Sequence, residues 1–364
     1  MKKLFVLLFS LSFLIIPTAQ AELAVIRITD KPHIDFEGRF RNNELAVKLL
    51  PNGKLGKLIY GVASTGNTYV IDAALVDEVT LMAAGYTFDK KEDLDGQKTA
   101  QNWLFRLKYA TANNKVIALP YGNPDEKLLK SIAPSEIRFY SEYAQSRLAS
   151  TLGRGVGAET GWSQGKSALT NQFKGAYRDN RRLLTDLSTI TSSPEVASLR
   201  ARLAISLNPL LTQYERAYFF RSQNIATDVI SNRLKVIPGR YQITSSSAKL
   251  PVTLVNNFDT ASVVSISLIP MNSRVQIENI NNVTIAPKSR LQILVPVQVI
   301  APGETLVLAQ FMNSRGQLVG NVSKLDITST VIDSRVAWFT TGAALLLFLG
   351  AITQSVRRIR RSRH

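Results

Sequence analysis

Asp72 and Asp125 are the residues of this chain best placed, by type and spacing, to do chemistry. Each closes an apolar run that reads as a strand: Thr68-Tyr-Val-Ile71 for the first, and Val116-Ile-Ala-Leu119 with its Pro-Tyr-Gly-Asn-Pro turn for the second. In parallel α/β sheets and barrels the carboxyl ends of the strands carry the ligand-binding and catalytic loops. Two carboxyl groups close together there could divide general-acid and nucleophile or base roles in cleaving a glycosidic bond. Tyr121, Asn123 and Glu126 would be their ligand-binding companions. The same two aspartates are also good N-caps for the helices that follow, because a carboxylate accepts the unpaired amides of a first helical turn. Strand–Asp–helix is common for that reason, so capping is the first expectation for each.

Other chemistries find less support. His33, Asp35 and Glu37 form an H-x-D-x-E string, but no second imidazole closes a metal site, and His33 reads as an exposed loop residue. The chain has two histidines and no cysteine. That excludes disulfides, thiolate metal sites and a cysteine nucleophile, and it argues against a multi-histidine centre. Gly153, Gly155 and Gly157 lack both the preceding strand and the Lys-Ser/Thr of a phosphate loop. No metal or cofactor is expected.

Two apolar segments set the address. Lys2-Lys3, an apolar run over Leu4–Ile16 and the small residues Ala19 and Ala21 form a secretory signal, with cleavage expected after Ala21. Near the other end, residues 336–352 carry no charge and read as a transmembrane helix. Trp338 and Phe339 stand where an interfacial aromatic belt would be, and Arg357, Arg358, Arg360, Arg361 and Arg363 follow. The positive-inside rule puts those arginines in the cytoplasm and residues 22–335 outside. The expectation is a single-pass type I protein of a bacterial plasma membrane. The formal charge of +17 includes the leader lysines and tail arginines, and the remaining basic residues are scattered among the acidic ones. Nucleic acid is therefore not an expected partner.

Between those segments the pattern is α+β and multidomain. Residues 22–133 alternate short strands with helices, implying an α/β module with a parallel sheet and a partial barrel. Residues 134–236 are mostly helical. Residues 240–330 hold short β-branched runs separated by turn clusters (NNFD, PMNS, APKS, APG, NSRG). That spacing predicts an antiparallel, immunoglobulin-like β-sandwich without cysteines. The transmembrane helix and a basic tail over 353–364 complete the order.

The segments Tyr69-Val-Ile-Asp-Ala-Ala-Leu-Val-Asp77, Ala118-Leu-Pro-Tyr-Gly-Asn-Pro-Asp125 and Ser245–Asn256, with the single-pass end and its arginines, resemble a family of uncharacterised, membrane-anchored cell-envelope proteins of actinobacteria, often encoded beside the lipid II flippase. The family's corresponding segments read AIDPALLD and LPYGDPD. Its members tend to be longer, with an extra β-domain and a fuller barrel resembling carbohydrate-active enzymes, so this chain looks like an abbreviated form. Ala73 stands where the pattern has Pro, and Asn123 where it has Asp, which argues against an inherited catalytic role.

The expected function is a non-catalytic extracytoplasmic protein that binds or scaffolds a cell-wall glycan, a wall precursor or a membrane-protein partner. The rival is a glycan hydrolase that uses Asp72 and Asp125.

Overall fold

The computed structural model describes residues 24–61, 65–88, 91–330 and 334–361. The signal-peptide segment with Ala19 and Ala21 lies outside the described residues, as does Arg363. The chain divides into two compact units that do not follow the order of the sequence. Residues 42–120 and 144–162 build the first with the strand before Lys31; residues 31–41, 121–143 and 163–364 build the second. The α/β module thus differs from the contiguous 22–133 block expected, since segments 31–41 and 121–133 belong to the second unit.

In the first unit, β1 (Val25–Ile28), β2 (Thr68–Ile71) and β5 (Lys115–Ala118) form a three-stranded parallel sheet in the order β1-β2-β5. Val70 and Ile71 pair with Ile117 and Ala118, and all four are buried. A strand covered on both faces reads as a continuous apolar run, which is why TYVI and VIAL are legible. Three strands make an open sheet, so the partial barrel is reduced to a single parallel layer. The connections are α1 (Glu44–Leu49), α2 (Lys57–Tyr60) and α3 (Ala73–Ala84), then the short pair β3 (Thr87–Phe88) and β4 (Lys91–Glu92), and α4 (Leu94–Thr111). α3 packs against α4, burying Leu75, Val79 and Met82 on one helix and Ala100, Trp103 and Leu107 on the other. The apolar spacing predicts this last helix over Asn102–Tyr109, and α4 begins well before that. Asp93 caps it, accepting from Gly96 N at 2.9 Å, while Tyr86 donates its hydroxyl to the same carboxylate at 2.6 Å.

The second unit is helical first. α5 (Glu126–Ile132), α6 (Glu136–Leu152, whose last turns count with the first unit), α7 (Asn171–Leu187), α8 (Pro194–Arg202), a 3-10 turn over Leu203–Leu207 and α9 (Gln213–Ser231) lead to the β-region.

There two sheets face each other. One has the order β10-β12-β8-β6 and the other β11-β9-β13-β14-β7. The strands are β6 (Leu234–Val236), β7 (Gly239–Ile243), β8 (Ser247–Asn256), β9 (Ser262–Pro270), β10 (Val275–Ile277), β11 (Ile280–Ile285), β12 (Ser289–Val299), β13 (Gly303–Met312) and β14 (Leu318–Ser329). Leu250, Val252 and Leu254 from one sheet, and Val264, Ile266, Val307 and Phe311 from the other, point inward and are buried. That period of two is the pattern of a sheet with one wet face. Two features depart from the expectation. The sandwich starts at Leu234, because β6 pairs antiparallel with β8 through Val236↔Leu254. One neighbour pair is parallel, β14 with β7, so the sandwich is not antiparallel throughout.

The last element is α10 (Ser334–Arg361), one continuous helix that takes in the start of the expected basic tail. Its described apolar side chains, including Trp338, Phe339 and Leu345–Leu349, are exposed. Among the described residues no helix is long and apolar enough to cross a membrane; the Val336 side chain, at the start of the expected span, lies outside them.

Asn256 closes the sandwich where β8 ends. It is fully buried, its Nδ2 donates to Thr260 O, Ile285 O and Ala286 O at 2.9, 3.2 and 3.1 Å, and its Oδ1 accepts from Phe258 N at 3.0 Å. Asn256→Ala should lower stability by about 1–3 kcal/mol, because it strands buried backbone groups. Urea unfolding checks this: a lower midpoint at unchanged m is the expected result.

Candidate functional site

Asp72 follows β2 directly. It is 2% exposed and accepts a hydrogen bond from Ala74 N at 2.9 Å, the geometry of an N-cap on α3. Asp125 is equally committed. Its Oδ1 accepts from Lys127 N at 3.0 Å and Leu128 N at 3.1 Å, and its Oδ2 accepts from Ser167 N at 2.6 Å. Both oxygens therefore hold backbone: one caps α5 and the other ties in the segment before α7. Asp72 lies in the first unit and Asp125 in the second.

The loop leading to Asp125 is built to hold its own shape. Gly122 has φ +76, and a Cβ there would meet Ile205 N at 2.9 Å, so a side chain is excluded twice over. Asn208 Nδ2 donates to Gly122 O at 2.9 Å. Asn123 takes the left-handed conformation with φ 43, and its buried Oδ1 has no hydrogen-bond partner. Tyr121 is buried, with its ring edge-on to Tyr143 at 5.2 Å between centroids. Glu126 pairs with Lys130 one turn along α5 at 2.6 Å. Arg216 completes the surroundings. Burial lowers its pKa and the charge of Asp125 opposes that, while the guanidinium donates to Ser206 O at 2.6 Å and Asn208 O at 3.1 Å. Tyr121, Asn123 and Asp125 thus stand in one loop, with Glu126 opening α5, and the three loop residues are buried.

The histidine string is structural as well. Residues 33–41 form a tight hairpin in which Ile34 bridges Phe40 and Gly38 turns at φ +84. His33 is 1% exposed, not the exposed loop residue its sequence context suggests, because the hairpin lies against α9. Asp35 is fully buried and accepts from Glu37 N, Arg39 N and Arg39 Nε, each at 3.0 Å, and from the Tyr218 hydroxyl at 2.7 Å. No group of residues that could hold a metal ion occurs among the described residues.

An opening that no motif announced lies beside that hairpin. α8, α9 and Phe36 enclose an apolar groove of about 590 Å³, walled by Leu199, Ile225, Val229 and Ile230. Its volume is that of a small-molecule site. Its charged rim is already paired: Arg233 with Glu195, and Arg202 with the carbonyls of Asp35 and Phe36, its guanidinium 5.3 Å from the Phe36 ring centroid. Glu37, also on the rim, pairs with Arg39, and what remains open is an apolar trough suited to holding a greasy group. The only signal in the sequence is Ile225 and Val229 at i, i+4 on α9, a spacing that otherwise means core.

A family model described as "Family of unknown function (DUF6049)" matches residues 142–364. No curated protein matches the chain. Among solved structures, an Escherichia coli alpha-2-macroglobulin is similar at 13% identity and TM-score 0.22, over 27% of this chain and 6% of that one. WR4, an MSP family member from Caenorhabditis elegans, is similar at 9% identity and TM-score 0.22, over 27% of this chain and 98% of that one. A CARDB domain from Pyrococcus furiosus, solved in complex with di-metal ions, is similar at 15% identity and TM-score 0.21, over 28% of this chain and 90% of that one. This chain thus spans only a small part of the macroglobulin.

Asp125→Ala should cost about 1–3 kcal/mol, because three backbone amides lose the buried carboxylate that accepts them; thermal or urea unfolding checks it. A pH effect sits on the other side of the hairpin. The Glu215 carboxyl feels burial, which would raise its pKa, but the backbone N–H of Thr212 and the Lys31 ammonium outweigh it and hold the pKa down at about 2. A depressed carboxyl stabilises the fold above its unfolded pKa of about 4.3, and that contribution is lost as pH falls toward about 2. Glu215→Gln should therefore flatten the stability–pH curve across that acid window, which acid titration of unfolding would show.

Proposed function

This chain belongs to the DUF6049 family, and on its own architecture we propose that it is a non-catalytic, membrane-anchored extracytoplasmic protein of the bacterial cell envelope, one that binds a wall glycan, a wall precursor or a membrane-protein partner. The observation that carries this reading is the commitment of Asp125. Both of its oxygens are engaged by backbone amides, and a carboxylate that must hold a helix cap and a loop is not available to shuttle protons. Asp72, as the cap of α3, supports the same conclusion.

The anchoring part rests on α10. A helix with exposed Trp338, Phe339, Leu345–Leu349 and Ile352 has no stable place in water, and the arginines that follow suit a cytoplasmic face. On this reading the signal sequence is cleaved, the immunoglobulin-like sandwich stands next to the membrane, and the apolar groove between α8 and α9 receives the partner's greasy group.

The test uses the full chain in a bacterial host. Asp72→Asn and Asp125→Asn should each leave membrane fractionation and partner capture unchanged. Turnover of peptidoglycan or arabinogalactan fragments by the parent, abolished by both substitutions, would overturn the proposal in favour of a glycan hydrolase.

A further inference from the structure

The end of the β-sandwich from which the chain leaves for α10 carries an apolar tip. Ser329, the last residue of β14, donates its hydroxyl to Ala301 O at 3.2 Å or Gly303 O at 3.1 Å. The turn it grips joins β12 to β13 and holds Ile300 65% exposed. A second turn, between β9 and β10, is tied to the first. Ile300 N donates to Arg274 O at 2.8 Å, Asn272 Nδ2 to Glu304 O at 3.2 Å, and Arg274 Nη1 to Pro302 O at 2.5 Å. That second turn presents Met271, 60% exposed, beside Ile269 at 50%. Apolar side chains are thus held outward by a hydrogen-bonded frame, with the exposed Arg274 among them.

The chain itself says what covers this tip. Ser334, where α10 begins, follows Ser329 after four residues, a reach of no more than about 18 Å. A bilayer entered by α10 would therefore face the end of the sandwich where Ser329 ties down the Ile300 turn. Apolar side chains at a membrane interface gain by leaving water, and an arginine among them can bury its stem while its guanidinium reaches phosphate.

We propose that this end of the sandwich is a lipid-contact surface: Met271, Ile300 and Ile269 seat in the headgroup–acyl boundary, and Arg274 meets the lipid phosphates. The inference rests on the anchoring reading above and adds an orientation to it. The sandwich stands on the bilayer on its Met271–Ile300 end, and the β13–β14 turn with Ser314 points away.

Because the chain has no cysteine, Met271→Cys, Ile300→Cys and Ser314→Cys each create a single attachment point for an environment-sensitive fluorophore. All three positions are exposed, so none should disturb folding; circular dichroism checks that. The full chain is reconstituted into vesicles of phosphatidylcholine and phosphatidylglycerol. Labels at 271 and 300 should shift their emission to the blue and be quenched by spin-labelled lipid, while the label at 314 does neither. Flotation with the vesicles but identical spectra at all three positions overturns the lipid contact and leaves the anchor standing. A blue shift that tracks protein concentration rather than lipid points to a second copy of the chain on this surface, and also overturns it. Failure to float removes the anchor, and the lipid contact falls with it.

Discussion

A carboxylate taken out of water must be met by donors that the fold itself supplies, and that requirement organises this molecule. The cost of an unmet buried charge is several kcal/mol. Four of the buried acids recruit partners distant in sequence. In the first unit Asp30 holds Lys48 at 2.7 Å and Lys54 at 3.2 Å. In the second, Asp35 accepts from Tyr218, Asp125 from Ser167 N, and Glu136 takes both Nε and Nη2 of Arg200 at 2.9 Å. These ties matter because both units are assembled from separated stretches of chain. A chain without cysteine has no covalent staple for such a weave, and charge-assisted hydrogen bonds take that role.

The same requirement decides what the strand ends can do. An aspartate after a parallel strand is well placed for catalysis and equally well placed to cap the next helix, and both aspartates here accept backbone amides of the helix that follows. Asp125 shows how far this goes. With Arg216 beside it and Gly122 pressed against Ile205, the whole turn is a joint between segments. The β-sandwich solves its own version of the problem with neutral groups, as Asn256 supplies both donor and acceptor where β8 ends. The α8–α9 groove and the Met271–Ile300 tip are apolar surfaces whose bordering charged groups are met by neighbouring side chains and carbonyls.

Much of the element order was legible from the residues. The Ala73–Ala84 helix, the cap at Asp125, and the strands over TYVI and most of the sandwich follow from apolar period and capping residues. The misses share a cause. β6 is a three-residue strand, too short to show a period. The opening turns of α4 carry Asp95, Gly96 and Gln97 in place of an apolar stripe, so only the cap at Asp93 marks them. The parallel β7–β14 pair joins segments far apart in the chain, and strand partners are not written in either strand alone.

Local chemistry, by itself, determined which residues could start a helix, fill a strand or form an uncharged run near the carboxyl end, because those properties act over a few neighbouring residues. Only the tertiary structure decided what His33, Tyr121 and Asn123 are for. Each is buried by elements tens of residues away, and burial is a property of the assembled surface. It likewise decided that the two aspartates cap helices: an N-cap and a catalytic acid look alike in a string of letters and differ only in which hydrogen-bond donors lie within about 3 Å.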